Sequence, residues 1–237
     1  MKNTFKKIFI SFTVFSLTAC GSTTMQDNTF AAKENKDFTK YTNQLVVEYA
    51  ENDYTTMHQF FEHPEDYGID INNVDVSLGE FYTDNTEEIK EDQKELNKFN
   101  RSTLDKTQQT IYDELKYENE LSLKAENKKF QYLNNCWSTM SGLHQSLISV
   151  FSEYILRSEK DIQDLITLIN DVPRYTNDVL EYTKKQADKN TLQFDYDSVT
   201  QDIQDVINNK ENSSITSALY NAIDSLNLDE EKTTSYK

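Results

Sequence analysis

Glycine and proline are very scarce in this sequence: its 237 residues include only four glycines and two prolines. Both residues serve the tight turns of hairpins, so a β-sandwich or barrel of this length would require many more of them. Hydrophobic residues make up 36% of the chain, and 14 tyrosines and 13 phenylalanines supply large apolar surfaces for a packed core. The composition therefore predicts an all-α fold built from long helices.

The first twenty residues follow the pattern of an export signal. Three lysines lie within the first seven residues, before a ten-residue apolar run, 8–17 (IFISFTVFSL), that is too short to span a bilayer. The next segment, Leu17 to Cys20 (LTAC), resembles the lipobox of bacterial lipoproteins, in which the cysteine receives a diacylglyceryl group. The alternative is an ordinary secretory signal followed by a coincidental cysteine. We predict a cleaved signal peptide, 1–19, and lipidation of Cys20.

The lipid on Cys20 would anchor an extracytoplasmic protein to the bacterial cell membrane. Residues 20–36 are small and polar without a helical period, and we interpret them as the lipidated cysteine and a flexible tether. The formal net charge of −17 opposes binding to nucleic acid and attraction to anionic lipid headgroups. The predicted membrane contact is therefore made by the acyl chains.

Apolar residues recur at helical spacing through 37–237, which we predict to be a helical domain. One stripe begins at Phe38 and its apolar pattern continues to Phe61. The clearest stripe occupies one helical face, at Met140, Leu143, Leu147, Val150 and Tyr154. No alternation of apolar and polar residues persists long enough to favour strands. These patterns predict an irregular multi-helix bundle.

Two pairs of residues predict helix N-termini. Asp84 and Glu87 have the spacing of a capping box and predict the start of a second helix. Ser158 and Asp161 predict the start of a long helix, which Pro173 is expected to kink or restart.

Two segments resemble a known protein family. The segments 63–70 (HPEDYGID) and 141–182 resemble the N-terminal half of the bacterial domain of unknown function 885 family, and the similarity extends loosely from Asp37 to Tyr236. The resemblance implies a helical, lipidated or secreted protein related to zinc peptidases. Those relatives carry His-Glu-x-x-Pro-Gly-His in their C-terminal half, where the histidines would bind metal and the Glu would act as a base.

The sequence lacks that motif. Residues 227–232 predict a helix that starts close to the last residue, and together with the missing motif this favours a truncated relative that keeps the N-terminal helical region of a larger family fold. The alternative is an independent small lipoprotein.

The histidines do not form a metal-binding pattern. His58, His63 and His144 are the only three, and none is followed by Glu. The five-residue separation of His58 and His63 turns them away from a common helical face, whereas zinc pairs on helices use i and i+4. We interpret both as surface or boundary residues, and predict no metal, no cofactor and no catalytic residue. Cys136 is predicted to be a small buried side chain.

Two classes of function remain open. In the first, the protein is a non-catalytic, membrane-tethered helical module derived from a zinc peptidase-like lipoprotein. In the second, it is an envelope lipoprotein that binds a peptide or another protein in a groove. The candidate groove residues are Trp137, His144, Tyr154 and Tyr175, and His144 is either a satisfied structural histidine or part of the lining.

Overall fold

The computed structural model describes residues 33–209 and 213–237. The predicted signal peptide 1–19, Cys20 and most of the predicted tether lie outside these described residues. Within them the chain forms helices and no strand, which confirms the all-α prediction. The α-helices are α1 (Lys36–Asn52), α2 (Tyr54–Phe60), α3 (Thr86–Leu96), α4 (Lys106–Ala125), α5 (Leu143–Ser152), α6 (Glu159–Asp188), α7 (Tyr196–Asn208), α8 (Ser214–Ser225) and α9 (Glu230–Tyr236). Three short 3-10 helices lie at Pro64–Tyr67, Ile71–Asn73 and Arg101–Thr103.

The chain divides into two compact units. The described part of unit 1 contains α1, α3 and α4, and consists of 33–52, Tyr67–Ile69 and Thr83–Gln131. Unit 2 contains α2 and α5 to α9, and consists of Asp53–Asp66, Asp70–Tyr82 and the described residues of Tyr132–Lys237. None of the helices in these described ranges is both long and apolar enough to cross a membrane.

Unit 1 is built around an aromatic and aliphatic core. Helices α3 and α4 pack against each other, and α1 contributes the fully buried ring of Phe38. This ring meets the edge of Phe99 at a centroid distance of 5.2 Å, a favourable arrangement for aromatic pairs. The buried residues of this core are Phe38, Leu45, Leu96, Leu104, Tyr112 and Leu115.

A buried glutamine joins the start of α1 to the start of α4. Gln108 Nε2 donates to the carbonyl of Asn35 at 2.8 Å and to the hydroxyl of Thr39 at 3.0 Å. Its Oε1 accepts from the Asn35 N–H at 2.9 Å. Gln108 also completes the capping box of α4 with Asp105, whose carboxylate accepts from the Gln108 N–H at 2.8 Å. Gln108 Oε1 therefore accepts from backbone N–H groups of Asn35 and Asp105, which lack intrahelical partners at the starts of α1 and α4.

Two boundaries differ from the sequence patterns because aspartates form local caps. The apolar stripe from Phe38 to Phe61 is interrupted at Asp53, whose carboxylate accepts from the Thr56 N–H at 3.1 Å and begins α2. The predicted Asp84–Glu87 capping box is wrong. Asp84 accepts instead from the N–H and hydroxyl of Thr86, so α3 begins at Thr86.

The predicted helix from Met140 to Tyr154 is shorter than its stripe. Helix α5 spans Leu143–Ser152, and Met140 is 89% exposed in the preceding turn. The Gly142 N–H donates to the Ser138 carbonyl at 2.8 Å, and this turn prevents the helix from starting earlier. A Cβ at Gly142 would lie 2.5 Å from that carbonyl oxygen, so the turn requires glycine.

Helix α6 begins as predicted. The Asp161 carboxylate accepts from the N–H of Ser158 at 2.7 Å and from its hydroxyl at 3.0 Å. The helix continues through Pro173 without restarting. Its buried side chains include Leu168, whereas Ile166 and Ile169 of the same helix are 41% and 44% exposed.

The short helix α9 confirms the start predicted within 227–232. Asp229 caps it, accepting from the Lys232 N–H at 2.8 Å. Lys232 Nζ and the Tyr236 hydroxyl both bind the Glu159 carboxylate, at 2.8 and 2.9 Å. These bonds attach α9 to the first turn of α6.

We predict that Gln108→Ala lowers the free energy of unfolding by about 1–2 kcal/mol, because it leaves the partly buried N–H of Asn35 without a partner and removes one of the hydrogen bonds to the Asn35 carbonyl. Urea unfolding followed by circular dichroism measures the change. Glu120→Ala, at an exposed position of the same helix, is the control and should shift the free energy by less than about 0.5 kcal/mol. Equal losses in the two variants would contradict the assigned role of Gln108.

Candidate functional site

The structure places the four candidate groove residues at different points of unit 2. Tyr154 lines a cavity with His58, whereas Trp137 lines a second cavity that Tyr154 does not reach. Tyr175 packs beside Phe81. His144 lies nearest to Asp202. Neither of these two cavities is lined by all four residues.

The first cavity, here called the Tyr154 cavity, has a volume of about 140 Å³. It forms where α2, the end of α5 and the extended segment after α5 meet. Its lining residues are Thr55, His58, Gln59, Ser149, Val150, Glu153, Tyr154 and Ile155. Helix α5 ends at Ser152, and the next three residues, 153–155, lie against α2.

One wall of the Tyr154 cavity is an aromatic stack. The His58 ring lies nearly parallel to the Tyr154 ring at 4.4 Å and to the Tyr54 ring at 5.5 Å. His58 is only 7% exposed, so its interpretation as a surface or boundary residue is wrong. Burial lowers the pKa of His58 below its ordinary value of 6.5, and the ring is neutral at pH 7.

Hydrogen bonds fix the orientation of the His58 ring. Its Nε2 lies 2.7 Å from the carbonyl oxygen of Ile155, and because a carbonyl only accepts, Nε2 carries the proton of the neutral ring. Nδ1 then holds the lone pair, and it lies 3.8 Å from the Asp161 carboxylate. The backbone carbonyl of His58 accepts from the Arg157 guanidinium at 2.9 Å.

The two tyrosine hydroxyls continue the network. The Tyr54 hydroxyl donates to Asp164 Oδ2 at 2.9 Å and lies 2.9 Å from the Tyr154 hydroxyl, which therefore donates to it. Burial, followed by the hydrogen bond with Tyr154, raises the pKa of Tyr54, and burial raises the pKa of Tyr154. Both hydroxyls stay protonated, and the wall that they stabilise is formed before any ligand arrives.

The rim of the Tyr154 cavity is polar, in contrast to its aromatic wall. The side chains of Gln59, Ser149 and Glu153 are exposed and have no hydrogen-bond or ion-pair partner among the described residues. They supply an amide, a hydroxyl and a carboxylate beside the apolar surfaces of Val150 and Ile155. A mostly apolar cavity with a few convergent polar groups is the usual form of a binding site.

A serine and a histidine line this cavity, and Asp161 lies close to the histidine, but the three residues do not form a catalytic triad. In a triad the histidine accepts the serine proton at one ring nitrogen while the aspartate binds the other. Here His58 Nε2 donates to the Ile155 carbonyl and is not an acceptor for Ser149. The arrangement supports recognition rather than nucleophilic catalysis.

The second cavity, here called the Trp137 cavity, has a volume of about 240 Å³. One side is the segment from Asn135 to Thr139, and the other is the start of α7 with Phe194. Helix α6 holds the segment in place, because Trp137 Nε1 donates to the Thr183 hydroxyl at 2.8 Å and Gln186 Nε2 donates to the Asn134 carbonyl at 2.8 Å.

Cys136 is buried and free, as predicted. It packs with Val179 and Tyr182 in the core of unit 2. Burial raises the pKa of its thiol to about 11, so the nucleophilic thiolate is a minor species at neutral pH. Cys136 therefore contributes to the packing of this core.

His144 is neither a satisfied structural histidine nor part of the lining of either cavity. Its side chain is 10% exposed, and both ring nitrogens are buried without a hydrogen-bond partner in the described part of the chain. The nearest acid, Asp202 Oδ2, lies 3.8 Å from Nε2, which is too far for a hydrogen bond.

The described residues do not fit the zinc site that the family resemblance implies. His58 Nε2 is engaged with a backbone carbonyl, and His63 is an exposed residue whose nearest acid is Glu65, 3.6 Å away. The exposure of His63 agrees with its interpretation from the sequence. Across 33–209 and 213–237, no group of three or more His, Cys, Asp or Glu side chains is placed to hold a metal ion.

Of the residues that line the Tyr154 cavity, only Tyr154 is among the candidate groove residues predicted from the sequence. The bonds that build it join residues far apart in the chain: His58 and Ile155 are separated by 97 positions, and Tyr54 and Asp164 by 110. The spacing of Tyr54 and His58, at i and i+4, was the one local indication that the two rings share a helix face.

The structure describes a helical protein with a small cavity of side-chain size. The chain belongs to the family described as bacterial proteins of unknown function, DUF885, whose model matches residues 72–236. This match confirms the family predicted from the sequence. It contains segment 141–182 and begins after segment 63–70. No curated protein and no solved structure matches the chain.

We predict opposite responses to leucine at the two buried histidines. His58→Leu removes the ring stack and the hydrogen bond to Ile155, and should lower the free energy of unfolding by about 2–4 kcal/mol. His144→Leu removes two buried nitrogens that lack partners, and should raise it by about 1 kcal/mol. Urea unfolding at pH 8, followed by fluorescence of Trp137, measures both changes within unit 2. A loss above 1 kcal/mol in His144→Leu would contradict its unpartnered state.

Proposed function

We propose that this protein is a lipid-anchored, extracytoplasmic member of its family that binds peptides. The observation that carries the proposal is the Tyr154 cavity, with its fixed aromatic wall and its polar rim without partners. A preformed wall lowers the entropy that binding must remove, because the rings are ordered in the free protein.

The size of the cavities supports a peptide rather than a cofactor. Small-molecule and cofactor sites usually measure about 300–1,000 Å³, whereas the Tyr154 cavity and the Trp137 cavity measure about 140 and 240 Å³. Each volume suits one amino-acid side chain. Peptide-recognition surfaces commonly take individual side chains into separate small pockets in this way.

The chemistry of His58 supports binding rather than hydrolysis. Its protonated nitrogen is used by the Ile155 carbonyl, and its lone pair faces the Tyr54 hydroxyl and Asp161. Neither nitrogen is available as a base toward Ser149. The ring contributes instead to the shape of the wall.

The proposed location depends on Leu17 to Cys20. Two or more acyl chains on Cys20 would give stable anchoring, since each buried CH₂ contributes about 0.8 kcal/mol and a single chain binds only marginally. Residues 21–36 would then space the helices from the membrane surface.

A second candidate function is a non-catalytic helical module that packs against further helices of a zinc peptidase-like fold. The observation that favours it is the exposure of Ile166 and Ile169 on α6, since neighbouring apolar side chains often mark a contact surface. This candidate gives no reason for peptides to bind at the Tyr154 cavity, so a peptide titration separates the two.

We expect Cys20→Ala to abolish lipidation. Cells that express the natural sequence should incorporate labelled palmitate into the protein and retain it in the membrane fraction. The variant should accumulate as an unprocessed precursor without label. Cys136→Ala is the matched control, because this thiol lies in the core of unit 2 and should leave labelling unchanged. Equal labelling of the natural chain and Cys20→Ala would overturn the proposed anchor.

We expect peptide binding to depend on an open Tyr154 cavity. The probes are acetylated and amidated pentapeptides Ala-Ala-X-Ala-Ala, with X as Leu, Met, Phe, Lys or Arg, titrated into the full chain in non-ionic detergent and followed by ligand-observed NMR. Ser149→Trp places a large ring at the rim, and should weaken the best peptide at least about tenfold by excluding its side chain.

Ser146→Trp is the control, because Ser146 is an exposed serine of the same helix that does not line the cavity. Its affinity for the peptides should match that of the natural chain. The proposal of peptide binding fails if no peptide of the set binds, or if the two tryptophan variants weaken binding equally.

A further inference from the structure

We propose that the Tyr154 cavity selects the side chain of lysine or arginine. This inference rests on the proposed peptide binding and names the class of residue that is bound. It follows from three features of the cavity: its apolar depth, its acidic rim and the absence of a free cation among the described residues that line it.

The depth of the cavity suits an aliphatic stem. Val150, Ile155 and the face of Tyr154 offer apolar surface. A water molecule occupies about 30 Å³ in the liquid, so a volume of about 140 Å³ holds a chain of about four or five water-sized groups. The four methylenes and terminal ammonium of lysine have this length, and long basic side chains bury their stems while the charge stays wet.

The rim of the cavity carries an available negative charge. Glu153 is exposed, lines the cavity and has no partner among the described residues. Gln59 and Ser149 add an amide oxygen and a hydroxyl, which can both accept from an ammonium or guanidinium group. Together the three side chains offer the acceptors that a bound cation needs.

The protein's own cations near this cavity are already engaged. The Arg157 guanidinium donates to the His58 carbonyl, and Lys160 pairs with Asp164. The Asp161 carboxylate accepts backbone N–H groups of Arg157 and Ser158. Glu153 is therefore left without an internal counter-ion within the described residues, and a ligand can supply one.

The net charge of the whole chain also favours a cationic ligand. A formal net charge of −17 attracts cationic peptides over long distances and repels anionic ones. A neutral aliphatic residue would fill the same apolar depth but would leave Glu153 unpaired. The preference for a basic residue thus depends on Glu153.

The test compares peptides Ala-Ala-X-Ala-Ala that differ only in the end of one side chain. Norleucine shares the aliphatic stem of lysine and lacks its charge, and glutamate reverses the charge. We expect the lysine and arginine peptides to bind the full chain about three- to fivefold more tightly than the norleucine peptide, and the glutamate peptide to bind most weakly. The advantage of lysine should shrink as salt is raised, because exposed charges are screened.

Glu153→Gln keeps the shape of the rim and removes its charge. It should equalise the lysine and norleucine peptides while leaving the affinity for norleucine unchanged. Glu231→Gln, at an exposed glutamate of α9 outside the cavity, should preserve the preference for lysine.

Equal binding of the lysine and norleucine peptides to the natural chain would overturn the inference and leave peptide binding intact. A lysine preference that persists in Glu153→Gln would also overturn it, because the charge would then act elsewhere. Failure of every peptide to bind would remove the proposed function itself, and the inference with it.

Discussion

The packing of the His58 ring beside the rings of Tyr54 and Tyr154 is the interaction on which the candidate site depends. It places a polar ring in an apolar interior, which is tolerated only when the polar atoms find partners. The Ile155 carbonyl accepts from His58, and the Asp164 carboxylate accepts from the neighbouring Tyr54 hydroxyl. In doing so they fix α2, the start of α6 and the segment after α5 in one arrangement. The cavity is the space that this arrangement leaves open.

The contrast between the wall and the rim gives the cavity its proposed role. Groups in the wall are bonded to each other, so they cannot readily reorient toward a reacting substrate. Groups at the rim, Gln59, Ser149 and Glu153, have no such bonds within the described chain. A rigid apolar depth with polar groups at its entrance is suited to selecting a side chain by shape and charge. The orphaned nitrogens of His144 show that burial alone does not make a binding site.

The negative charge of the protein acts on the proposed cationic ligand at two different distances. The net charge of the chain acts over a Debye length and affects how often a cationic ligand arrives. Glu153 acts at contact and affects which residue stays bound. The proposed lipid on Cys20 would keep both effects at the membrane surface. The family match establishes kinship for residues 72–236, and the proposed role comes from the cavity itself.

The sequence alone determined the fold class, because the scarcity of glycine and proline and the local caps such as Ser158–Asp161 act within a few residues. It did not determine which side chains are buried. Met140 belongs to the clearest stripe and is exposed, while His58 was interpreted as a boundary residue and is buried. The burial of His58 depends on contacts across about a hundred positions, between α2 and the segment that follows α5. Only the tertiary structure brings such distant residues together, because periodicity specifies a helix face but not the partner that covers it.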